Sequence, residues 1–406
     1  MKMEGGPLAY ESQRASSPLS LSEEATLAFA ACGITGCALA ELPYTEGGNI
    51  MTHLVGRTVA SGDAMHSVSL FVISDDGVHW VKRPQDFAAA EIPEIVNLGR
   101  SGRMEEWYAR GSVIVGDKRV DVPREVPFVP GFNQWSANVP GSTYFVPVNE
   151  LSMLYINVVL AAFSEDMAYF ILDDRNGFAP AGIGKFARSR GGHLRDDFAG
   201  GRVATVSAIE TWLCEFAAIE QGGMLQNLGL TAEALGLGGF MHFAAHPWIW
   251  METLGFRMQQ IAFSKLAGLG AVRGALVKLL GKDAPIPTPV GLEVGAKALL
   301  KPFCPPYYPD MRTAVRAYVE YKFAAGSGTL RNATNTAWKD GGAVQNGIPG
   351  YSERTIEAAA DYCDYVYRRY GRFPSTTGPF RSVLAYQAHR LDPQFYGKYY
   401  KPDGVR

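Results

Sequence analysis

The sequence predicts an α+β fold, with a central antiparallel or mixed sheet flanked by helices. Residues 220–239 carry apolar side chains at helical spacing and end in a Gly-Leu-Gly-Gly run that is typical of a helix stop. Residues 68–73 and 78–81 are apolar runs joined by Ser-Asp-Asp-Gly, and the Asp76-Gly77 pair favours a hairpin turn. Residues 20–31 begin with serine caps and first-turn glutamates, which predicts another helix.

Composition limits the classes of function. The chain has 406 residues, of which 47% are hydrophobic, so it can bury a full core and could form two or three domains. The 38 Lys and Arg nearly balance the 40 Asp and Glu, so there is no general basic field and nucleic acid is not an expected partner. The longest apolar run, residues 151–163, is too short to span a bilayer. We therefore expect no integral membrane segment and a cytoplasmic location.

Five scattered cysteines favour reduced thiols rather than a disulfide framework.

The patterns along the chain predict the remaining elements in order. They are an extended arm over 1–20, a glycine-bearing loop over 38–56, an irregular insertion over 84–147, a helix over 151–163, a strand over 167–172, one or two helices over 205–239, a helix over 259–280, a proline-spaced connector over 284–309, and helices over 310–323 and 353–370. The small residues in 220–239 weaken a helix by roughly 1 kcal/mol per glycine, so we expect another segment to lie close to its backbone.

Two blocks of the sequence resemble a known family. The first is Arg-Thr-Val-Ala-Ser-Gly-Asp-Ala-Met-His at 57–66, followed by the apolar strand. The second is Gln-Asn-Leu at 226–228 with Gly-Leu-Gly-Gly at 236–239. Together and in this order they resemble the FMN-dependent nitroreductase-like superfamily, near its azoline-oxidase-like (SagB-type) branch. The resemblance covers residues 20–83 and 150–256.

The resemblance implies a nitroreductase-like flavin domain over 21–256, preceded by the arm and followed by a helical extension or lid over 257–406. It also implies an obligate homodimer with FMN at the interface and two-electron hydride transfer. NAD(P)H could drive reduction of an electron-poor small molecule, or the flavin could dehydrogenate a biosynthetic intermediate such as a peptide heterocycle. The alternative is a non-catalytic dimer that acts as a binding or scaffolding protein.

The residues expected to bind FMN are Arg14, Arg57, Ser61, Gly62, Asp63, Ala64, Gln226, Asn227, Gly238 and Gly239. Arginine, hydroxyl and backbone N–H groups suit the phosphate, for which Arg14, Arg57 and Ser61 are the candidates. Glycine and alanine let a flat ring approach the backbone. His66 is a candidate proton donor.

Each of these residues also has a purely structural interpretation. Ser61, Gly62 and Asp63 could form an ordinary turn, Gln226 and Asn227 could hydrogen-bond across a buried interface, and His66 could be a core residue. The sequence also departs from the family: Ala60 replaces the usual proline, Ala64 or Met65 replaces an asparagine, and only Arg14 remains of an early arginine cluster. These departures lower the affinity for FMN that the resemblance implies.

Two other patterns carry alternatives. His242 and His246 have the i, i+4 spacing of a zinc pair, but Pro247 follows at once and there is no obvious third ligand, so we expect no metal. The segment 259–280 is apolar on one side and basic on the other. It could lie on a membrane surface, although packing as a lid or against a dimer partner is the favoured interpretation.

Overall fold

The structure is a computed structural model that describes residues 2–134, 137–242, 247–332, 336 and 338–403. Within these ranges, the side chains of 37–41, 49–55 and Pro247 are not described.

Twelve helices occur in the described residues. They are α1 (Leu21–Cys32), α2 (Ile92–Arg100), α3 (Met104–Gly111), α4 (Ser152–Ala162), α5 (Val206–Ala234), α6 (Pro247–Thr253), α7 (Phe263–Leu266), α8 (Ala271–Leu279), α9 (Met311–Phe323), α10 (Gly341–Gly347), α11 (Glu353–Tyr370) and α12 (Pro393–Tyr399).

Seventeen strands occur in the same residues. They are β1 (Lys2–Met3), β2 (Tyr10–Glu11), β3 (Ile34–Pro43), β4 (Asn49–Arg57), β5 (Val68–Ser74), β6 (Gly77–Val81), β7 (Ser112–Gly116), β8 (Thr143–Glu150), β9 (Phe170–Asp173), β10 (Ala179–Pro180), β11 (Val203–Thr205), β12 (Gly238–His242), β13 (Phe256–Ala262), β14 (Pro285–Val294), β15 (Lys297–Leu300), β16 (Phe380–Arg381) and β17 (Ala385–His389). The protein is therefore a mixed α+β protein, as the sequence predicts.

The largest sheet has seven strands, and its main path runs β12, β17, β8, β5, β6, β7, with β16 pairing to β8. Every neighbouring pair in it is antiparallel. The predicted hairpin over 68–81 is its β5–β6 pair. Gly77 has φ 146°, and a Cβ there would lie 2.5 Å from the Gly116 carbonyl oxygen, so the turn requires glycine.

Strand β5 is buried on both faces, which explains its continuous apolar sequence. Val68, Leu70 and Val72 lie in the cluster formed with α1 and α5, whereas Phe71 and Ile73 lie in the cluster on the opposite face. This alternation is the two-residue period of a strand. The sheet is thus covered on both sides.

Helix α5 is the longest helix in the described residues and confirms the helical spacing read from the sequence. It begins at Thr205, whose hydroxyl accepts a hydrogen bond from Ala208 N at 3.1 Å. The expected close approach to its glycines occurs at Gly223, where a Cβ would lie 2.9 Å from Val59 Cγ2. The helix ends at Ala234, so Gly238 and Gly239 belong to strand β12 and not to a helix stop.

The cap predicted for α1 is also confirmed. Ser20 N donates to Glu23 Oε2 at 2.7 Å, and Glu23 N donates to Ser20 Oγ at 3.3 Å, which forms a capping box.

Several element predictions are wrong. The loop expected over 38–56 is largely the β3–β4 hairpin, whose turn uses left-handed glycines at 47 and 48. The helix expected over 259–280 is strand β13 followed by α7 and α8, which are separated by Gly268 at φ 60°. The segment 84–147, expected to be irregular, contains α2, α3 and β7 and leads into β8, and its description as an insertion stays a prediction.

The connector expected over 284–309 contains strands β14 and β15. Proline stands at 285, 287 and 289, and alternate residues of a strand direct their nitrogens to the same edge. Strand β13 pairs along this part of β14, whereas β15 pairs only with residues 292–294. The prolines therefore occur where one edge of β14 has no β15 partner.

The predicted arm over 1–20 contacts the C-terminal end of the chain. Tyr10 OH donates to Asp392 Oδ2 at 3.0 Å, and Ser12 Oγ donates to the same oxygen at 2.5 Å. The division into an arm, a flavin domain and an extension stays a prediction, but strand β17 from the predicted extension lies between β12 and β8 in the largest sheet.

Within the described residues, no helix has both the length and the apolar character needed to cross a membrane.

Candidate functional site

The loop between β4 and β5 has an unusual backbone. Asp63, Ala64 and His66 have φ values of 52°, 51° and 48°, in the left-handed region that non-glycine residues rarely adopt. Ser61 Oγ accepts a hydrogen bond from His66 N at 2.8 Å and closes the loop. Such conformations cost roughly 1–3 kcal/mol each and concentrate at functional sites. The loop is the first of the two blocks that resemble the flavoprotein family.

A polar cluster from four segments lies beside this loop. Asn157 Nδ2 on α4 donates to Asp63 Oδ2 at 3.0 Å. Asn157 Oδ1 accepts from Tyr318 OH at 3.0 Å and from Lys322 Nζ at 2.9 Å, both on α9. Lys322 Nζ also donates to Tyr351 OH at 3.2 Å, just before α11. We call Asp63, Asn157, Tyr318, Lys322 and Tyr351 the lysine cluster.

Helix geometry explains how the cluster forms. Tyr318 and Lys322 are four residues apart on α9, so their side chains lie on the same face. Helix α4 is almost entirely buried, and Asn157 is one of its few polar residues. A buried amide requires hydrogen-bond partners, and the cluster supplies them on both its oxygen and its nitrogen.

The surroundings of Lys322 in the lysine cluster shift its pKa. Burial lowers the pKa of Lys322 to about 8, and the negative charge of Asp63 acts in the opposite direction. The amine also lies near the rings of Tyr351, Phe323 and Tyr318, at 5.2, 5.6 and 5.9 Å from their centroids. Burial likewise raises the pKa of Tyr351 to about 12. Lys322 can therefore gain or lose a proton near neutral pH, as a general acid or base must.

The lysine cluster reaches the surface. Asp63 is exposed, and Lys322 and Tyr351 are partly exposed, whereas Asn157 and Tyr318 are buried. No carboxylate in the described part of the chain lies within ion-pair distance of Lys322, whose charge is countered only through the more distant Asp63. A partly accessible amine with a lowered pKa is a suitable group for proton transfer to a small molecule.

A second polar cluster, around Glu210, has a different character. Glu210 is buried and accepts hydrogen bonds from Ser375 N, Ser375 Oγ and Thr376 N at 2.7, 2.6 and 2.8 Å. Its carboxylate is satisfied by the segment that follows α11, so this cluster joins α5 to that segment. We assign it a structural role.

Arg57, predicted to bind the phosphate, lies inside the protein. Its side chain is 0% exposed, with Nε donating to Cys32 O and Nη1 to Val68 O, both at 3.0 Å. Nη1 lies 3.8 Å from the Glu220 carboxylate, which also accepts hydrogen bonds from Ser67 Oγ and Val68 N. Burial raises the pKa of Glu220, and the charge of Arg57 counters this only in part. The structure corrects the prediction: Arg57 holds β4, β5 and α5 together and cannot reach a phosphate at the surface.

The glycines predicted to face the flavin ring contact protein side chains. A Cβ at Gly238 would lie 2.6 Å from His389 Nε2, and one at Gly239 would lie 2.1 Å from Tyr386 OH. These glycines therefore accommodate the neighbouring strand β17, so the side of each glycine where a Cβ would point is not free for a flat ring. A Cβ at Gly62 would lie 3.3 Å from the ring of Phe216.

The protomer brings Asn227 of the second block to Thr58 of the first, but it does not bring Gly238 and Gly239 to the loop. Gly62 lies against Phe216 in the first half of α5, whereas Gly238 follows the end of this helix at Ala234. The rise from Phe216 to Ala234 is about 27 Å at 1.5 Å per residue. The protomer therefore has no single binding site that contains both the loop at Gly62 and the glycines at 238 and 239.

The other predicted site residues have varied positions. Asn227 Nδ2 donates to Thr58 O at 3.0 Å, which matches its structural interpretation, whereas Gln226 is exposed. Arg14 is exposed on the arm. Ala64 is partly buried, and His66 is buried, with its carbonyl oxygen accepting from Gln85 Nε2 at 3.0 Å.

Together these positions test whether the predicted set fits FMN. Arg57 is buried and does not fit, whereas Gly238 is partly accessible and Gly239 is exposed, with side chains of β17 on the side where a Cβ would point. Ser61, Gly62, Asp63 and Ala64 are at least partly accessible, and Gln226 is exposed, so these residues are available to a ligand. Of the predicted FMN set, the loop residues, Gln226 on α5, Gly239 and Arg14 on the arm are thus open to a ligand, whereas Arg57 is not.

Only one histidine of the i, i+4 pair lies in the described residues. His242 lies in strand β12, so the helical i, i+4 argument does not apply, and His246 lies outside the described residues. Burial lowers the pKa of His242 to about 4. Among the residues that the structure describes, no three side chains are arranged to hold a metal ion.

Sequence reasoning missed four members of the lysine cluster. Asn157, Tyr318, Lys322 and Tyr351 carry no motif, and long stretches of chain separate Asp63, Asn157 and Lys322. The one local signal is the aromatic flank of Lys322, with Tyr318, Tyr321 and Phe323 around it.

No known protein family matches the sequence, and no curated protein matches it. The resemblance to the nitroreductase-like superfamily therefore remains a prediction.

Proposed function

We propose that the protein is an FMN-dependent oxidoreductase of the nitroreductase-like fold that carries out two-electron transfer on a small molecule in the cytoplasm. The observation that carries the proposal is the lysine cluster, because it places an amine with a pKa of about 8 beside the strained loop of the family-like block. The order of the two blocks and the antiparallel sheet give further support.

The proton is the part of the chemistry that this chain's own residues can handle. Dehydrogenation of a small molecule removes a hydride and a proton, and reduction adds both; FMN, when bound, supplies the hydride chemistry. Lys322 Nζ is suited to hold the proton, since burial makes its neutral and charged forms close in free energy near pH 8. Asn157 orients the amine, and Tyr351 hydrogen-bonds to it.

We further propose that the active form is a homodimer joined along α5. Trp212, Ile219 and Leu230 are 48%, 68% and 61% exposed and lie seven and eleven residues apart, which places them on one face. Gly222 and Gln226 are exposed on the same face. An apolar stripe along a long helix is typical of a subunit interface. Gln226 would then lie at that interface, where the resemblance implies FMN.

The test is an absorbance spectrum of the purified full-length protein after incubation with FMN and removal of free flavin. We expect a flavin band that stays with the protein. Bleaching by NAD(P)H indicates a reductase, whereas flavin that remains oxidised with NAD(P)H indicates a dehydrogenase. A colourless protein that takes up no FMN would overturn the proposal.

The role of Lys322 has its own test, with menadione as probe acceptor. The protonated amine donates, so the rate of menadione reduction should fall as pH rises through about 8. In Lys322→Met this inflection should disappear while FMN is retained. Lys118→Met is the matched control, because Lys118 is an exposed lysine at a turn. An unchanged pH profile in Lys322→Met would remove Lys322 from the site.

A second candidate function is a non-catalytic dimer that binds or scaffolds a partner. The buried position of Arg57 favours it, since it removes a predicted phosphate contact. A colourless protein that sediments as a dimer would support this alternative.

A further inference from the structure

Helix α8 presents an apolar face that no part of the described chain covers. No residue of this fully described helix is buried, and Val272 and Leu279 are 85% and 84% exposed. Leu276 and Leu280 are also exposed. The spacing i, i+4, i+7 and i+8 places all four side chains on one face of the helix. The face is therefore a continuous apolar surface rather than scattered residues.

The segment around α7, which precedes α8, is firmly attached to α11, although no residue of α8 is buried. Asp283 accepts hydrogen bonds from Ser264 N and Ser264 Oγ at 2.7 and 2.8 Å, which closes the segment around α7. Lys265 Nζ donates to Arg368 O, and Arg369 Nη2 donates to Gly268 O at 2.6 Å, so α7 is tied to α11. Helix α8 thus lies on an ordered support.

Charge distinguishes the possible partners of this surface. Arg273 beside the apolar face, Lys278 on the opposite side of α8 and Lys282 just after its end are exposed, and no carboxylate in the described residues forms an ion pair with them. The only acidic residue from 263 to 283 is Asp283, which is hydrogen-bonded to Ser264. The exposed stripe of α5 differs, because it carries Glu215 and no lysine or arginine. A second copy of α8 would bring like charges together, whereas an anionic lipid surface would meet both the cations and the apolar side chains.

We propose that α8 is an interfacial helix that docks the protein on the surface of an anionic lipid bilayer. The apolar side chains Val272, Leu276, Leu279 and Leu280 enter the boundary between headgroups and acyl chains. Arg273, Lys278 and Lys282 lie at the level of the anionic headgroups. The proposal does not depend on flavin binding, and it replaces the interpretation of this segment as a lid or dimer contact.

The experiment is co-sedimentation of the full-length protein with vesicles. Vesicles of phosphatidylcholine mixed with phosphatidylserine should bind the protein at low salt and bind it less at high salt, because the cationic contribution is screened. Vesicles of phosphatidylcholine alone should bind it at least about tenfold more weakly. Absence of binding to the phosphatidylserine vesicles at low salt would overturn the proposal.

Two variants and a control locate the surface. Val272→Ser with Leu279→Ser should reduce binding at least about tenfold, and Arg273→Glu with Lys278→Glu should do the same. All four side chains are exposed, so the fold should be retained, which circular dichroism checks. The control is Phe198→Ser, which removes another apolar side chain, 77% exposed, outside α8.

The remaining outcomes also decide the matter. The proposal is supported if Phe198→Ser binds the vesicles as well as the wild type does and both α8 variants lose binding. Binding that both α8 variants retain would overturn it. If the wild type sediments as a dimer without vesicles and Val272→Ser with Leu279→Ser makes it monomeric, the face belongs to a second copy and the lipid proposal is wrong.

Discussion

Lys322 should make the stability of the protein depend on pH. Its ordinary pKa is 10.5, and burial lowers it to about 8 in the folded state. Below pH 8 the amine is charged in both the folded and the unfolded state, and burial of this charge lowers the stability of the folded state. Between pH 8 and 10.5 the unfolded state binds more protons, so stability rises with pH by about 2–3 kcal/mol from this group.

Lys322→Met should therefore remove this rise of stability with pH. Compared with the wild type, the variant should gain about 3 kcal/mol more in free energy of unfolding at pH 7 than at pH 10.5. Urea denaturation at the two pH values measures it. Lys118→Met is the control and should show no such change, and a pH-independent difference for Lys322→Met would contradict the assignment.

Arg57 should act on stability through Glu220. Arg57→Met leaves the buried Glu220 carboxylate without its cation, which should lower the free energy of unfolding by about 3 kcal/mol. With Glu220→Gln already present, the same substitution should cost about 1–2 kcal/mol less, because no buried charge is left unpaired. Urea denaturation of the four proteins in this double-mutant cycle provides the measurement. Equal costs in the two backgrounds would show that the pair is not coupled.

At the residue scale, local signals were predictable and long-range partners were not. The cap at Ser20 and the turn at Gly77 depend on neighbours within three or four residues, so the sequence is sufficient. The role of Arg57 depends on Glu220, and that of Lys322 depends on Asn157, both more than 150 residues away. No local pattern distinguishes a buried arginine from one that binds phosphate.

At the scale of elements, the exposed stripe of α5 predicts the oligomeric state. Ile219→Glu should make the proposed homodimer dissociate, because it would bury a charge at the centre of the proposed apolar interface. Sedimentation velocity over a range of concentrations measures the change. The control is Ile114→Glu on strand β7, since Ile114 is similarly exposed, at 62%. A wild type that stays monomeric at all concentrations would contradict the interface.

Elements with a strong local sequence signal were predicted correctly, whereas elements that depend on distant pairing or on a single glycine were not. Helices α4, α5, α9 and α11 carry a long periodic pattern or a clear cap and were predicted within a few residues. Strand β14 was missed because its alternating prolines resemble a connector, and only the pairing with β13 shows that it is a strand. The segment 259–280 was read as one helix because its apolar spacing continues through Gly268, where the backbone is left-handed.

At the scale of the whole molecule, the C-terminal region is part of the main sheet. Strand β17 lies between β12 and β8, and Gln387 Oε1 accepts a hydrogen bond from Asn138 N at 2.8 Å. A chain that ends at Gly378 should lose cooperative thermal unfolding, because β8 and β12 would lose their partner. Circular dichroism during heating measures this. A chain that ends at Lys401 is the control, and cooperative unfolding of the shorter chain would show that the region is a separable extension.

The α+β class was predictable from the sequence, but the composition of the sheet was not. The family-like segments, 20–83 and 150–256, contain β5, β6 and α5, whereas β17 comes from the part of the chain without a predicted counterpart. The pairing of strands far apart in sequence is set by tertiary packing, which one sequence does not display.

The most direct test of the account is the titration of the Lys322 amine in the folded protein. It can be followed by NMR of protein with isotopically labelled lysine side chains, with Lys322→Met used to assign the signal. We expect the Lys322 amine to titrate with a midpoint near pH 8, well below the midpoints of the exposed lysines. A midpoint near 10.5, together with the other lysines, would contradict it.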